Sequence, residues 1–169
     1  MTQDLLYRYQ YPSFIVLCNT VSDIKNSVLF ASKYNIQITI LSTGHSWSGI
    51  STGNYSLQIN LSNMTKYEFS DDNDTITVET GLKWGEIYNL VSDRNKIIVG
   101  GADQGVGPGG YTLGGGHSPL SPYYGLSSDY TTEYYMVDGY GNIVHVYNTS
   151  GVNSTIDDMF WALKGGGGG

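Results

Sequence analysis

Two glycine-rich segments, residues 41–49 and 105–118, constrain the fold of this chain more than any other feature of its sequence. Each follows an apolar, β-branched run, at residues 36–41 and 97–99, which predicts a buried strand ahead of it. Glycine lets a backbone approach a ligand closely, and successive N–H groups in glycine-rich turns form concavities that hold phosphate. The two segments therefore predict a binding site for a large phosphorylated cofactor.

The composition excludes two classes of partner. The 169 residues, of which 40% are apolar and 13% aromatic, suffice for one globular domain of two lobes. A formal charge of −7 with only eight Lys and Arg lacks the basic footprint that nucleic acid requires. No stretch reaches the roughly 18 apolar residues that span a bilayer. We expect no nucleic-acid partner and no membrane insertion.

The histidines and the cysteine do not predict a metal centre. His45, His117 and His145 are far apart in the sequence, with no carboxylate or thiol at a metal-ligand spacing. The single cysteine, Cys18, lies in an apolar run and is interpreted as a buried, unreactive thiol.

The compartment is ambiguous. The amino terminus has neither the basic nor the apolar region of a secretory signal. Asn-x-Ser/Thr sequons nevertheless exceed the roughly two that composition alone would give, which indicates a secretory-pathway ancestor or an Asn- and Ser-rich proteome. The sequon asparagines are Asn54, Asn60, Asn63, Asn73, Asn148 and Asn153.

The first third of the chain predicts a strand–helix–strand unit. Residues 14–18 form the first strand, Thr20 caps a helix, and residues 36–41 form the strand that enters the first glycine segment. Ligands bind beyond the carboxyl ends of such strands, so the first half of the site is expected there. The helix residues predicted to face the core are Ile24, Val28, Leu29 and Ala31.

The later segments predict a different order of strands and helices. Residues 56–61 and 75–80 alternate apolar with polar side chains and are predicted to be antiparallel strands, the second following an acidic turn at 70–74. Apolar residues at helical spacing predict a helix over 83–93, with Trp84 in the core beneath a strand at 97–99. The remaining predictions are a hairpin of 134–137 with 143–147 and a helix over 157–163.

A nominal dinucleotide fingerprint keeps a second cofactor class open. Gly105, Gly107 and Gly110 match its glycine spacing, and Asp129 supplies an acid about twenty residues later. Pro108 and three further glycines leave no clean helix directly after Gly110, which weakens this NAD-binding Rossmann interpretation. No Gly-Lys-Ser/Thr completes a phosphate-binding P-loop.

Four linked motifs, in order and at matching spacing, resemble a known family. They are Ser42-Thr43-Gly44-His45-Ser46, the segment 105–118, Tyr124-Gly125-Leu126-Ser127-Ser128-Asp129, and the glycine run 165–169 after Phe160-Trp161-Ala162-Leu163. Together they resemble the FAD-binding domain of the vanillyl-alcohol oxidase superfamily, in particular the berberine bridge enzyme-like oxidoreductases.

The resemblance implies an α+β, two-subdomain FAD-binding fold of the PCMH type that clasps an extended FAD. It implies a covalent bond from His45 to the 8α-methyl carbon of the flavin. Asp103 stands where some members have a second linking cysteine, so a single covalent link is expected. Leu41 stands where an arginine is common, which removes one phosphate contact.

The resemblance also implies which residues lie near FAD. Tyr111 would flank the flavin or pack within its loop, and Asp129 would contact the cofactor or cap a turn. The full set of expected cofactor-binding residues is Leu41, Ser42, Thr43, Gly44, His45, Ser46, Asp103, Gly105, Val106, Gly110, Tyr111, Gly115, Gly116 and Asp129.

The domain is expected over residues 12–169, after an N-terminal extension at 1–11, and to stop inside a third glycine loop without the substrate domain of relatives. The implied function is FAD binding within an oxidoreductase that passes a hydride from a small alcohol, carbohydrate or amine to flavin, with molecular oxygen as a candidate acceptor. No catalytic residue is assigned. The alternatives are a truncated, non-catalytic flavin-binding remnant and the NAD-binding Rossmann domain.

Overall fold

The computed structural model describes residues 7 and 9–167. Most of the predicted N-terminal extension and the last two glycines lie outside the described residues. The elements are β1 (Phe14–Leu17), α1 (Val21–Tyr34), β2 (Ile38–Leu41), β3 (Leu57–Asn60), β4 (Tyr67–Phe69), β5 (Ile76–Val78), α2 (Trp84–Ser92), α3 (Pro108–Leu113), α4 (Ser121–Tyr124), α5 (Ser127–Tyr130), β6 (Glu133–Val137), β7 (Ile143–Tyr147) and α6 (Ser154–Leu163).

A parallel sheet in the order β1-β3-β2 supports the first glycine segment. The predicted strand–helix–strand unit is present, but β3 lies between its two strands and parallel to both. The antiparallel prediction for residues 56–61 is therefore wrong. Alternation of apolar and polar residues encodes which face a strand buries, and it does not encode strand direction.

Helix α1 begins and ends where its local chemistry dictates. The Thr20 hydroxyl accepts a hydrogen bond from the Asp23 N–H (3.3 Å), and the Asp23 carboxylate accepts one from the Thr20 N–H (2.9 Å). Asn35 closes the helix in the left-handed conformation, with a φ of 51°. Leu29 does not face the core as predicted: it is exposed and lies against the turn at Gly141.

Buried apolar side chains form two clusters, one for each predicted lobe. The first joins the parallel sheet to α1 and includes Cys18, which is fully buried as expected and whose thiol pKa is raised by that burial. The second cluster consists of Leu82, Trp84, Ile87 and Val91, with partly buried residues from β4 and β5 against it.

The second lobe contains a correctly predicted antiparallel ladder and one wrong strand. Strands β4 and β5 pair across the acidic turn. Residues 97–99 pair with no strand among the described residues: Ile97 is 70% exposed, Ile98 packs against the second cluster, and Val99 is buried. The apolar run is used for packing under α2 and not for a ladder.

The predicted hairpin is confirmed as the antiparallel pair β6–β7, and α6 packs against β7. Helix α6 begins at Ser154, three residues before the predicted start, because the Asn153 side chain caps it through the Ile156 N–H (3.2 Å). The three-stranded sheet β1-β3-β2 is parallel throughout, but β4–β5 and β6–β7 form two separate antiparallel ladders, which the Rossmann alternative with its single parallel sheet does not contain. Across residues 7 and 9–167, no helix has the length and apolar character needed to cross a membrane.

Candidate functional site

The first glycine segment follows strand β2 and presents a row of backbone N–H groups. Leu41, the last strand residue, has a buried side chain, and Gly44 takes a φ of 84° that a residue with a side chain rarely adopts. Within the described part of the chain, the backbone N–H groups of residues 43–47 donate no hydrogen bond. Consecutive unpaired donors in such a turn are suited to an anion.

The second glycine segment meets the first at Gly107. The Gly107 N–H donates to the Thr43 hydroxyl oxygen (2.9 Å), and the Ser42 hydroxyl donates to the Thr80 carbonyl. A Cβ on Gly107 would lie 2.7 Å from Thr43 Cγ2 and 2.9 Å from the Leu82 carbonyl oxygen. The contact between the two segments is thus close enough to require glycine.

His45 and Asp103 face each other across this junction. His45 Nδ1 lies 3.9 Å from Asp103 Oδ2, and the His45 side chain is only 16% exposed. The other carboxylate oxygen of Asp103 accepts a hydrogen bond from the Gly105 N–H (2.8 Å). A Cβ on Gly105 would lie 3.2 Å from Asp103 Oδ1 and 3.3 Å from His45 Nε2, so a side chain at this position would crowd both groups.

Helix α2 supports the loop that carries Asp103, a role that the sequence reasoning missed. The Trp84 N–H donates to the Val106 carbonyl (2.9 Å), and the Gly85 N–H donates to the Gln104 carbonyl (3.0 Å). The Tyr88 hydroxyl donates to the Gly101 carbonyl, and burial raises the pKa of Tyr88 to about 12, so this donor stays protonated.

The Trp84 indole forms the floor of the same loop. Gly100 and Gly101 pack so closely on the indole that a Cβ on either glycine would lie under 3.0 Å from the ring. This adjacent pair of glycines before the second segment was the available sequence signal. Trp84 is buried in the core as predicted, and its Nε1 has no hydrogen-bond partner among the described residues.

The second glycine segment forms a six-residue helix, α3, that includes Gly110 and ends at Leu113. Helix α3 begins at Pro108, whose fixed φ and missing N–H suit the first helical position. Gly110 is exposed within it, and no atom lies within 4 Å of the place where its Cβ would be. Tyr111 packs edge-on against Trp84 (5.1 Å between ring centroids) and donates to the His117 carbonyl (2.7 Å).

The end of the second segment is fixed by α5. The Ser127 N–H donates to the Gly116 carbonyl (3.0 Å), and the Ser128 N–H donates to the Gly115 carbonyl (3.1 Å). Asp129 accepts a hydrogen bond from the Leu126 N–H (2.9 Å), which is the turn-capping alternative predicted for it. The third glycine run lies alongside, because the Gly167 N–H donates to the Leu113 carbonyl (3.2 Å).

The donor set at this junction fits a dinucleotide phosphate. Neither glycine segment, 41–49 nor 105–118, contains Lys or Arg, so the attraction for an anion must come from backbone N–H groups. Among the described residues, five N–H groups at 43–47 donate no hydrogen bond, and the space beside Gly110 is open, which supplies a cradle of that kind. The residues present therefore fit FAD.

The comparisons with known proteins decide the family. A family model described as an FAD binding domain matches residues 12–147. The chain belongs to this FAD-binding family. An uncharacterised FAD-linked oxidoreductase of Arthroderma benhamiae is 38% identical over 94% of this chain, and the match spans 28% of that protein.

Solved structures agree with this assignment. The VAO-type flavoprotein VAO615 of Myceliophthora thermophila is 34% identical with a TM-score of 0.86, over 95% of this chain and 30% of its own. A glucooligosaccharide oxidase of Acremonium strictum with a 6-S-cysteinyl, 8α-N1-histidyl FAD is 29% identical with a TM-score of 0.84, over 92% of this chain and 32% of its own.

The chain is therefore an FAD-binding domain of the VAO-type FAD-linked oxidoreductases, with the predicted α+β PCMH-type fold. It spans about 28% of the length of the curated relatives that it matches. The Rossmann alternative is wrong, because both the family match and the two separate antiparallel ladders contradict it.

Proposed function

We propose that FAD lies in the junction between the two glycine segments, within a domain that runs over residues 12–169. Residues 42–46 bind the pyrophosphate through their backbone N–H groups. The observation that carries this proposal is the row of N–H groups at 43–47 that donate no hydrogen bond within the described residues, in a segment that contacts the second one through Thr43 and Gly107. The other members of the proposed site are Leu41, Asp103, Gly105, Val106, Gly110, Tyr111, Gly115, Gly116 and Asp129.

Two of these residues support the backbone of the proposed site and do not contact FAD through their side chains. Leu41 has a buried side chain and contributes only the end of its strand, and Asp129 holds the turn that carries α5. Gly110 allows the backbone of α3 to approach the cofactor, since the space beside its Cα is open.

His45 is proposed as the sole covalent anchor of the flavin. Its imidazole is mostly sheltered and lies close to Gly105, where a Cβ would be 3.3 Å from Nε2. Asp103 stands in the position of the second linking cysteine, and a carboxylate cannot form a thioether. A covalent tether prevents loss of the cofactor and withdraws electron density from the flavin ring.

The whole protein is proposed to oxidise a small alcohol, carbohydrate or amine, with molecular oxygen as the electron acceptor. Bound FAD supplies the hydride acceptor for such chemistry. The residues of this chain bind and anchor it. A second candidate is a flavin-binding unit without turnover of its own, which is supported by the relatives having more than two thirds of their length outside the matched region.

The experiment is to purify the 169-residue protein with FAD and to record its visible spectrum before and after denaturation. We expect a yellow protein that keeps its flavin when unfolded. His45→Ala should bind FAD reversibly and lose it on denaturation, whereas the control His117→Ala, an exposed histidine of the second segment, should keep it. A colourless protein that takes up no FAD would refute the proposed site.

A further inference from the structure

We propose that Asn73, in the turn between β4 and β5, is an attachment site for an N-linked oligosaccharide. Asn73-Asp74-Thr75 is one of the six Asn-x-Ser/Thr sequons, which are more numerous than the composition gives and which the binding of FAD does not explain. The inference is independent of the cofactor site, and it places synthesis of the protein in the secretory pathway, where such glycans are added.

The side-chain amides of the sequons are held in a common way. The sugar bonds Nδ2 of the asparagine, and in five of the six sequons Oδ1 accepts a hydrogen bond while Nδ2 donates none within residues 7 and 9–167. Asn63 is the exception, because its Nδ2 donates to Asn19 Oδ1 (3.2 Å). The five asparagines that accept through Oδ1 are Asn54, Asn60, Asn73, Asn148 and Asn153.

The β4–β5 turn holds Asn73 without using its side-chain nitrogen. Asn73 has a φ of 58°, a left-handed conformation that asparagine adopts more readily than most residues, and its N–H donates to the Ser70 carbonyl (2.9 Å). Arg94 Nε donates to Asn73 Oδ1 (3.3 Å), and the Arg94 guanidinium lies over the Phe69 ring, 3.6 Å from its centroid. The two polar atoms of a planar amide point in different directions, so Nδ2 points away from Arg94.

The turn lies at the opposite end of α2 from the junction of the glycine segments. Arg94, which contacts Asn73, follows the carboxyl end of α2, whereas the amino end of α2 donates to the carbonyls of the loop at 104–106. Nine helical residues at 1.5 Å each separate the two ends by about 13 Å. Residues 71–75 are all exposed. An oligosaccharide therefore has room at Asn73, and its attachment point is away from the proposed FAD site.

Asn60 is the sequon that the fold places least favourably for a glycan. It is the last residue of β3, where it lies opposite Leu17 of β1 and Leu41 of β2. Leu41 leads directly into the first glycine segment, so Asn60 is at the same carboxyl edge of the sheet as the proposed FAD site. Its side chain is only partly exposed. We expect Asn60 to stay unmodified.

The modification is a group transfer from a lipid-linked donor. The co-reactant is an oligosaccharide joined through its reducing-end carbon to a lipid pyrophosphate. A bond forms between Asn73 Nδ2 and that carbon, and the bond from the carbon to the pyrophosphate oxygen breaks. The departing pyrophosphate keeps the electron pair of the broken bond and takes up the proton that Nδ2 loses, so no oxidant or reductant is required. Oδ1 keeps its lone pairs, so its hydrogen bond from Arg94 remains.

The first measurement maps glycans on the protein made by its own cells. The whole protein is purified from those cells, proteolysed, and treated in oxygen-18 water with a peptide N-glycosidase, which converts a glycosylated asparagine into an aspartate that carries oxygen-18. We expect this label on Asn73 and none on Asn60. An unlabelled Asn73 would overturn the inference, and a label on Asn60 would refute the argument from its position in the sheet.

The second measurement tests the sequon itself, in whole protein secreted from eukaryotic cells. Thr75→Ala destroys the sequon but keeps Asn73 and its contact with Arg94, and this variant should lose the mass of one oligosaccharide. Thr75→Ser preserves the sequon and should keep that mass. The control is Asn95→Gln, which changes an exposed, left-handed asparagine (φ of 55°) outside any sequon and should leave the mass of attached glycan unchanged. A wild-type glycan mass in Thr75→Ala would refute attachment at Asn73.

A third measurement separates this inference from the proposed function. Enzymatic removal of the glycan should leave the binding of FAD unchanged, and so should Thr75→Ala. A protein glycosylated at Asn73 that binds no FAD would refute the cofactor site alone, and an FAD-binding protein without this glycan would refute the glycan alone. Loss of FAD binding on removal of the glycan would contradict the placement of Asn73 away from the junction.

Discussion

Replacement of Gly110 by alanine separates the cofactor site from the stability of the fold. Gly110 is the third residue of α3, and no atom lies within 4 Å of its would-be Cβ. In the FAD-free protein the new methyl group meets nothing, and alanine is favoured over glycine inside a helix by about 0.5–1 kcal/mol. The free energy of unfolding should therefore stay the same or rise by up to about that amount.

The FAD-bound protein should respond in the opposite direction. If the backbone at Gly110 contacts the cofactor, a methyl group there overpacks the contact by about 1–3 kcal/mol. At about 1.4 kcal/mol for each tenfold change, the dissociation constant for FAD rises roughly 5- to 150-fold. Flavin fluorescence titration in the His45→Ala background, where binding is reversible, gives the affinity, and urea unfolding gives the stability.

Gly139 provides the matched control for this prediction. It too has no atom within 4 Å of its would-be Cβ, and it lies in the β6–β7 turn outside the proposed site. Gly139→Ala should leave the FAD affinity unchanged. Equal FAD affinities for Gly110→Ala and its parent would refute the contact at Gly110.

The other predictions concern the junction, the response to acid and turnover. Gly107→Ala should lower the free energy of unfolding by about 1–3 kcal/mol, because its Cβ would meet Thr43 and two backbone carbonyls at 3.0 Å or less; unchanged urea unfolding would contradict this. Thr43→Val removes the acceptor of the Gly107 N–H and should cost about 1–3 kcal/mol by the same assay. Hydrogen bonds from the backbone and side chain of Thr149 lower the pKa of Asp157. The ionised Asp157 carboxylate therefore stabilises the folded protein fully above the ordinary pKa of an aspartate, about 3.9. This stabilisation is lost as the pH falls through the lower pKa that Asp157 has in the folded state. Thermal unfolding of Asp157→Asn should accordingly depend less on pH below about 4, and an unaltered acid profile would rule this out. The 169-residue protein should form hydrogen peroxide from sugars, alcohols and amines no faster than free FAD does, since substrate positioning and proton transfer each supply several powers of ten; saturable turnover would place catalytic groups within these residues.

Local signals in the sequence predicted the elements that local chemistry determines. Thr20 and Asp23 form the capping box of α1, and the glycine-containing turn at 138–142 joins β6 to β7. The glycine spacing and His45 also identified the segments that the fold brings together. In each case the residues that decide the structure lie within a few positions of one another.

Predictions from the sequence were wrong where a segment's structure depends on residues far away in the chain. The direction of β3 depends on β1 and β2, which reach it from about 20 to 40 residues away in the chain. Residues 97–99 read as a strand because their apolar character is the same whether they pair or pack under Trp84. The contact of Asp103 with His45 joins loops that are 58 residues apart, so no local pattern could reveal it.

FAD is proposed to lie at the junction of the two glycine segments and to be bonded to His45. Mass spectrometry of the proteolysed, FAD-loaded protein tests both statements at once. We expect a single flavin-bearing peptide, the one that contains His45, with its mass increased by one covalently attached FAD. Flavin on a peptide without His45, or a purified protein that binds no FAD at all, would refute the proposed site and its anchor.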